Sequence, residues 1–296
     1  MQRPLFLALL LLSLMWGGSF FFIKILLPDF EPLPISFLRS GFGLATIVLI
    51  MLVTRQKFGW KSIPWPLMIV VGLVNTAVPW TLIGLSETKL TSSMASVLNA
   101  TTPLWTMVVG ILFFKAASNF VQWLGIAIAF VGILVLVDVN PESFVSVDLV
   151  GLFCMLTATL CYGIGTQLSR RLSGLTLYQT TFGTLLTTTL ATGIASLLWA
   201  DADWAQVAAW HNLGALVGLG VFGSGVAYIL FYYLVQKGSP EFATLVTYLL
   251  PVTAIIWGYT LLDEAITWNL LAGMMLVLCG VFVAGRKANK AAVVDK

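Results

Sequence analysis

Ten long apolar runs, read roughly at 4–27, 32–54, 64–86, 91–114, 120–137, 147–169, 176–200, 211–235, 240–262 and 268–285, constrain this chain more than any motif. At about 1.5 Å per helical residue, each can cross a hydrocarbon layer about 30 Å thick. Lipid offers no partner for a free backbone group, so the runs are predicted to be helices. The charges between them alternate. With the N-terminus placed in the cytoplasm, the cytoplasmic segments hold Arg3, Arg55, Lys57, Lys61, Lys115, Arg170, Arg171, Lys237, Arg286, Lys287, Lys290 and Lys296. The opposite side holds Asp29, Glu31, Glu87, Asp138, Glu142, Asp148, Asp201, Asp203, Asp263 and Glu264, with Lys89 as its loop base. Positive residues stay on the cytoplasmic side during insertion, and one missed helix would scramble the alternation.

Composition supports the membrane class. The chain is 59% hydrophobic and 9% charged, against roughly 25% charged for soluble domains. Its net charge of +3 comes from scattered loop bases, a topology signal rather than a nucleic-acid surface. The first run is too long for a signal-peptide core and is read as a retained helix. Cys154, Cys161 and Cys279 lie within predicted helices as small packing residues. No metal-ligand spacing or Gly-rich phosphate loop is present, so no cofactor, metal or catalytic residue is expected. His211 stands alone at a predicted helix end.

The chain also repeats itself. At an offset of 148, Gly72 meets Gly220, Lys89 meets Lys237, Pro103 meets Pro251, Gly125 meets Gly273 and Gly132 meets Gly280. Nearer the N-terminus, Trp16-Gly17 meets Tyr162-Gly163 and Phe42-Gly43 meets Phe182-Gly183. Shared Gly and Pro positions mark close helix approach and backbone breaks. The expected architecture is all-α: ten transmembrane helices as two inverted five-helix repeats, 1–138 and 147–285, with a basic tail at 286–296 and both termini cytoplasmic. Five is odd, so the second half enters from the opposite side. Inverted repeats of this kind place a substrate site between the halves near the midplane.

The first run reads Trp16-Gly17-Gly18-Ser19-Phe20-Phe21-Phe22-Ile23-Lys24, and the second carries Phe37-Leu38-Arg39. The ninth ends Leu262-Asp263-Glu264-Ala265-Ile266-Thr267, followed by Gly273 and Gly280. Over essentially its whole length the sequence resembles the EamA-type proteins of the drug/metabolite transporter superfamily, most closely the bacterial exporters of aromatic and neutral amino acids. The resemblance implies a central cavity and outward movement of small metabolites across the inner membrane. It departs at the fourth helix's end, where Lys115-Ala116 stands where the second half has Asp263-Glu264.

Polar residues are costly in lipid unless they face protein or water. Ser92, Ser96, Asn99, Pro103 and Thr106 share one face of the fourth helix, and Pro240, Thr244, Thr247 and Pro251 one face of the ninth. They either line a cavity or pack helices together. Pro103 and Pro251 are either gate hinges or static kinks. Trp16 and Ser19, with Trp80, Trp105, Tyr162, Tyr228 and Tyr248, form a candidate aromatic wall, with core packing as the alternative. Trp60, Trp65, Trp204, Trp210 and Trp268 fit interfacial anchors. Lys24 and Arg39 are expected at the outer mouth, either in an ion network with Asp29 and Glu31 or drawing in a substrate carboxylate. No acid sits mid-helix, which counts against proton coupling. The expected partners are a small-molecule substrate and the bilayer, with no nucleic acid, and a monomer is compatible with this. The reading is an amino-acid exporter without enzymatic chemistry; a multidrug or organic-cation exporter, a channel-like facilitator and a lipid-modifying enzyme are its alternatives.

Overall fold

The computed structural model describes residues 2–137, 148–238 and 240–285. Asp138, Glu142 and the basic tail with Arg286, Lys287, Lys290 and Lys296 lie outside the described residues, as does the side chain of Pro240. The described residues form helices and connections, with no strand among them. In chain order the helices are α1 (Gln2–Leu26), α2 (Pro32–Val53), α3 (Trp65–Gly72, Leu73–Ala77 and Val78–Glu87 end to end) and α4 (Ser92–Asn99 then Thr102–Phe114). Then come α5 (Phe120–Leu136), α6 (Leu149–Ser169) and α7 (Leu177–Trp199). The last are α8 (Trp210–Leu216, Val217–Val226 and Ala227–Lys237), α9 (Pro240–Thr244 then Val246–Leu261) and α10 (Trp268–Ala284). Eight are long and apolar enough to cross a membrane; α5 and α10 are shorter apolar helices of 17 residues each.

Their starts follow from local chemistry. Asn119 with Gln122, and Thr176 with Gln179, form reciprocal capping boxes on α5 and α7. Thr91, Asp148 and Thr267 accept from the first free amides of α4, α6 and α10. Each cap satisfies donors that the helix itself leaves open.

Polarity is arranged inside out. Leu49, Phe113, Phe120, Leu197 and Phe282 face outward, whereas Ser40, Thr76, Ser96, Thr188 and Thr192 are buried. The buried hydroxyls mostly bond to their own helix: Thr184 to the Thr180 carbonyl at 2.9 Å and Thr192 to that of Thr188 at 2.7 Å. They can then pack against neighbours with no polar group unpaired.

Helix pairing repeats with the sequence. α1 packs on α9 as α6 packs on α4, α2 on α8 as α7 on α3, and α3 on α6 as α8 on α1. The remaining main pairs, α5 with α10 and α2 with α7, join equivalent helices. α5 and α10 run antiparallel at very short range. A Cβ on Gly125 would stand 2.3 Å from the Ala284 nitrogen, and one on Gly132 2.7 Å from that of Val277. A Cβ on Gly280 would meet the Ala129 nitrogen at 2.5 Å, and one on Gly273 the Leu136 Cβ at 2.8 Å.

Connections gather at two ends. At one, Asp29 bonds His211 and Asn212 at 2.8 Å each, and Lys89 pairs with Asp148 at 3.8 Å. The His211 bond first, and then that of Asn212, holds the Asp29 carboxyl below its usual range. Asp201 joins Asp29 and Glu31 around a surface recess there. At the other end, Gln179 donates to the Lys57 carbonyl at 3.4 Å, and Phe58 and Trp60 set their rings edge-on to Phe182. The expected acid-rich and base-rich loops therefore separate. Of the anchor tryptophans, Trp60, Trp204, Trp210 and Trp268 are exposed, and Trp65 stacks on Trp60.

The α5–α10 crossing generates a stability prediction. Gly125→Val should destabilise by about 1–3 kcal/mol, because backbone atoms cannot yield to the new side chain. Gly174→Ala, with nothing within 4 Å, should leave the melting temperature of the detergent-purified protein unchanged.

Candidate functional site

Four helices lose regular geometry within the bundle, and all four do so at the same place. α3 widens into a π-helical stretch at Leu73–Ala77, and α8 at Val217–Val226. The offset of 148 carries the first onto 221–225, inside the second. α4 is interrupted at Ala100 and Thr101, and α9 at Leu245. A cavity of about 420 Å³ lies between them. Asn75 and Gly223 reach it from the wide turns, and Asn99, Thr102, Thr244 and Val246 from the edges of the breaks. Interrupted helices free polar groups and bring chain close to a bound solute.

The rest of the lining pairs up across the halves. Trp80 and Tyr228, Ile83 and Phe231, Asn99 and Thr247, and Thr102 and Leu250 are offset by 148. Trp16 and Tyr162, and Phe20 and Thr166, are offset by 146. Ser19 and Ile23, without such partners, complete the α1 wall. The Trp16 indole donates to the Gly223 carbonyl at 3.2 Å, and its ring meets Tyr228 edge-on with centroids 6.1 Å apart. Asn99 Oδ1 is buried without a partner.

Three expected wall residues lie elsewhere. Ser96 is fully buried and donates to the Ser93 carbonyl at 2.7 Å. Trp105 turns its backbone and Cβ to Gly163, the contact joining α4 to α6. Tyr248, half-buried, points its hydroxyl toward Gly285 at the end of α10. The face drawn along α4 assumed one unbroken helix, and the break at Ala100 and Thr101 resets its phase for the residues beyond it, Trp105 among them. Tyr248 follows Thr247 by one residue and so points about 100° away.

The two prolines also differ. Pro103 occupies the first turn of the restarted helix, where a missing N–H costs nothing. The carbonyl it leaves free, Asn99 O, accepts from Thr102 Oγ1 at 2.8 Å. Pro251 sits inside a continuous helix, six residues after the break at Leu245.

Neither expected mouth cation pairs with Asp29 or Glu31. Lys24 donates to the backbone carbonyls of Glu87 and Leu90, tying the end of α1 to the α3–α4 connection. Arg39 lies two turns inside α2 and lines the cavity at 7% exposure. Its Nε donates to Ser224 Oγ at 2.9 Å, and its guanidinium stands 4.0 Å from the centre of the Trp80 ring. Asn75, Thr102 and Thr166 were not anticipated; Asn75 was legible as the partner of Gly223 at the repeat offset.

At the acid-rich end the α9–α10 connection is tied to the start of α4. Glu264 accepts from the Ser92 amide at 2.6 Å, the Ser93 amide at 3.0 Å and the Ser93 hydroxyl at 2.5 Å. A carboxylate at free helix amides is a favourable arrangement. Its turn is built like the equivalent one in the first half. Asp263 and Lys115 have φ of 54° and 53°. Glu264 N bonds Gly258 O at 3.1 Å, as Ala116 N bonds Gly110 O at 3.0 Å. Ala116, however, carries no carboxylate.

Residues 3–138 and 149–286 each match the EamA-like transporter family. The chain is 26% identical over 275 residues to an uncharacterized transporter of Archaeoglobus fulgidus, covering 92% of this chain and 95% of that protein. It is 28% identical over 309 residues to the uncharacterized inner membrane transporter YedA of Escherichia coli K12, covering 99% and 96%. A protein solved by crystallography shares the fold with a TM-score of 0.69 at 16% identity, covering 96% of each chain. The family match spans nearly every residue that builds the helices and the cavity, and on that ground the chain belongs to the EamA-like transporter family and is a membrane transporter.

Proposed function

We propose that the chain is a ten-helix inner-membrane carrier built as two inverted halves, with cytoplasmic termini, that exports neutral and aromatic amino acids by alternating access. One observation carries this: an aromatic-walled cavity with an unpaired amide oxygen, lined largely by residues equivalent in the two halves. On this reading the acid-rich end, where Glu264 grips the start of α4, is external. The cavity reaches toward the base-rich end, where Thr166 lies one turn before Arg170. A cavity of this size suits a single small solute, with rings for an apolar side chain and hydroxyls and amides for its head group. A buried guanidinium in the wall argues against organic cations.

Counterflow in liposomes tests the function, since only a carrier is accelerated by substrate on the far side. Exchange of labelled phenylalanine or threonine is expected; a panel of amino acids that never exchanges would end this reading. Tyr228→Leu should raise the half-saturation for phenylalanine roughly twofold to tenfold, and that for threonine much less. Asn99→Ala should impair exchange of both while leaving the melting temperature nearly intact.

Topology is tested in a background without Cys154, Cys161 and Cys279. A cysteine at Asp201 should react with an impermeant thiol reagent from outside intact cells, and one at Lys57 should not. Labelling at position 57 would invert the orientation. In the same background, Glu264→Ala should speed external labelling of a cysteine placed at Ile83, in the cavity wall. An unchanged rate would show that the Glu264 contacts do not hold the external side closed.

A further inference from the structure

We infer that Arg39 is the anchor for an acidic head group, so that the solutes taken are amphipathic carboxylates and the carboxylate matters more than the amine. This deepens the reading of the cavity as a substrate site and rests on it.

A guanidinium has five donors and keeps its charge under all ordinary conditions. Taking such a charge out of water is expensive unless an anion or a full set of acceptors replaces the hydration. Arg39 is 7% exposed, and among the described residues it makes one hydrogen bond, from Nε to Ser224 Oγ. No carboxylate of the described residues lies within 4.0 Å of it. The remaining donors of its fork belong to a side chain that lines the cavity.

The neighbouring acids do not supply the missing partner. Glu264 is spent on the amides of Ser92 and Ser93. Glu87 is fully buried, and neither carboxylate oxygen has a hydrogen-bond partner. No ion pair within 4.0 Å joins it to Lys24 or Arg39. The cation that lines the cavity is thus left without a carboxylate contact among the described residues.

The ring beneath makes the guanidinium a fixed target. Trp80 supports one face at 4.0 Å, and Ser224 holds Nε. Ser224 Oγ is itself pinned by donating to the Leu219 carbonyl at 3.1 Å, within the wide turn of α8. A planar fork held in this way suits the two oxygens of a carboxylate. Arg39 also has no counterpart. The alignment that pairs Phe42-Gly43 with Phe182-Gly183 sets it against Gln179, which bonds the Lys57 carbonyl far from the cavity. The walls are shared between halves, but the charge belongs to one.

The test uses a matched set of probes: phenylalanine, 3-phenylpropionate, phenylalaninamide and phenethylamine. A ligand that binds the folded protein raises its melting temperature in a concentration-dependent way. In detergent-purified protein, phenylalanine and 3-phenylpropionate should do so. The amide and the amine should need roughly tenfold to hundredfold more ligand for the same shift. Arg39→Gln should erase the difference between acid and amide, and Arg39→Lys should keep part of it. Each comparison is a ratio within one variant, so a lower folded yield does not blur it, and the wild-type ratio alone is decisive. Equal shifts from acid and amide, no shift from either acid, or an acid preference that survives in Arg39→Gln would overturn the proposal. Acid-selective binding without counterflow of any solute would instead leave the anion site standing and remove the transport reading.

Discussion

Lipid gives no partner to a backbone group that leaves its helix, and the shape of this transporter depends on that constraint. The chain breaks or widens its helices in α3, α4, α8 and α9, and each irregular stretch turns toward the others rather than toward the membrane. The freed groups find partners at once. Thr102 takes the carbonyl below Pro103, Ser224 takes that of Leu219, and Thr76 and Thr188 both take that of Gly72. The cavity lies where these local repairs converge. The regular helices, above all the glycine-lined contact of α5 with α10, hold the frame around it.

Much of this was legible without coordinates. The apolar runs lie within a few residues of the helices, because both follow from the thickness of the hydrocarbon layer. Repeat offsets found Trp16, Trp80, Asn99, Tyr162, Tyr228 and Thr247 for the same reason: residues at equivalent places in two copies face a common axis. The rest needed coordinates. Ser96 spends its hydroxyl on the Ser93 carbonyl, and Trp105 lies beyond the break at Ala100 and Thr101. For Arg39 the sequence offered either an ion network with Asp29 and Glu31 or the capture of a substrate carboxylate, and the loop acids alone could not choose between them.

The symmetry of the walls makes its exceptions informative. Most lining positions have an equivalent in the other half, so a rocking motion can present nearly the same surface to either side. Polar recognition is not shared in that way. Arg39 comes from α2 alone, over Trp80 of α3, and the matching place on α7 serves a loop. On the proposed reading, a head group anchored on α2 would keep its place while the aromatic walls exchange roles around the side chain.

The pairing of Glu264 with Ala116 bears on how such a carrier waits between cycles. Both turns have the same left-handed residue and the same backbone hydrogen bond, so neither is the stiffer. Only one carries a carboxylate that can grip the next helix. Opening the gripped end means breaking charge-assisted hydrogen bonds; at the Lys115–Ala116 turn the described residues make none of that kind. On the proposed orientation this bias would rest the empty carrier facing the cytoplasm. One side chain that the duplication did not share thus bears on the resting state alone, and the solute gradient sets the direction of net flux.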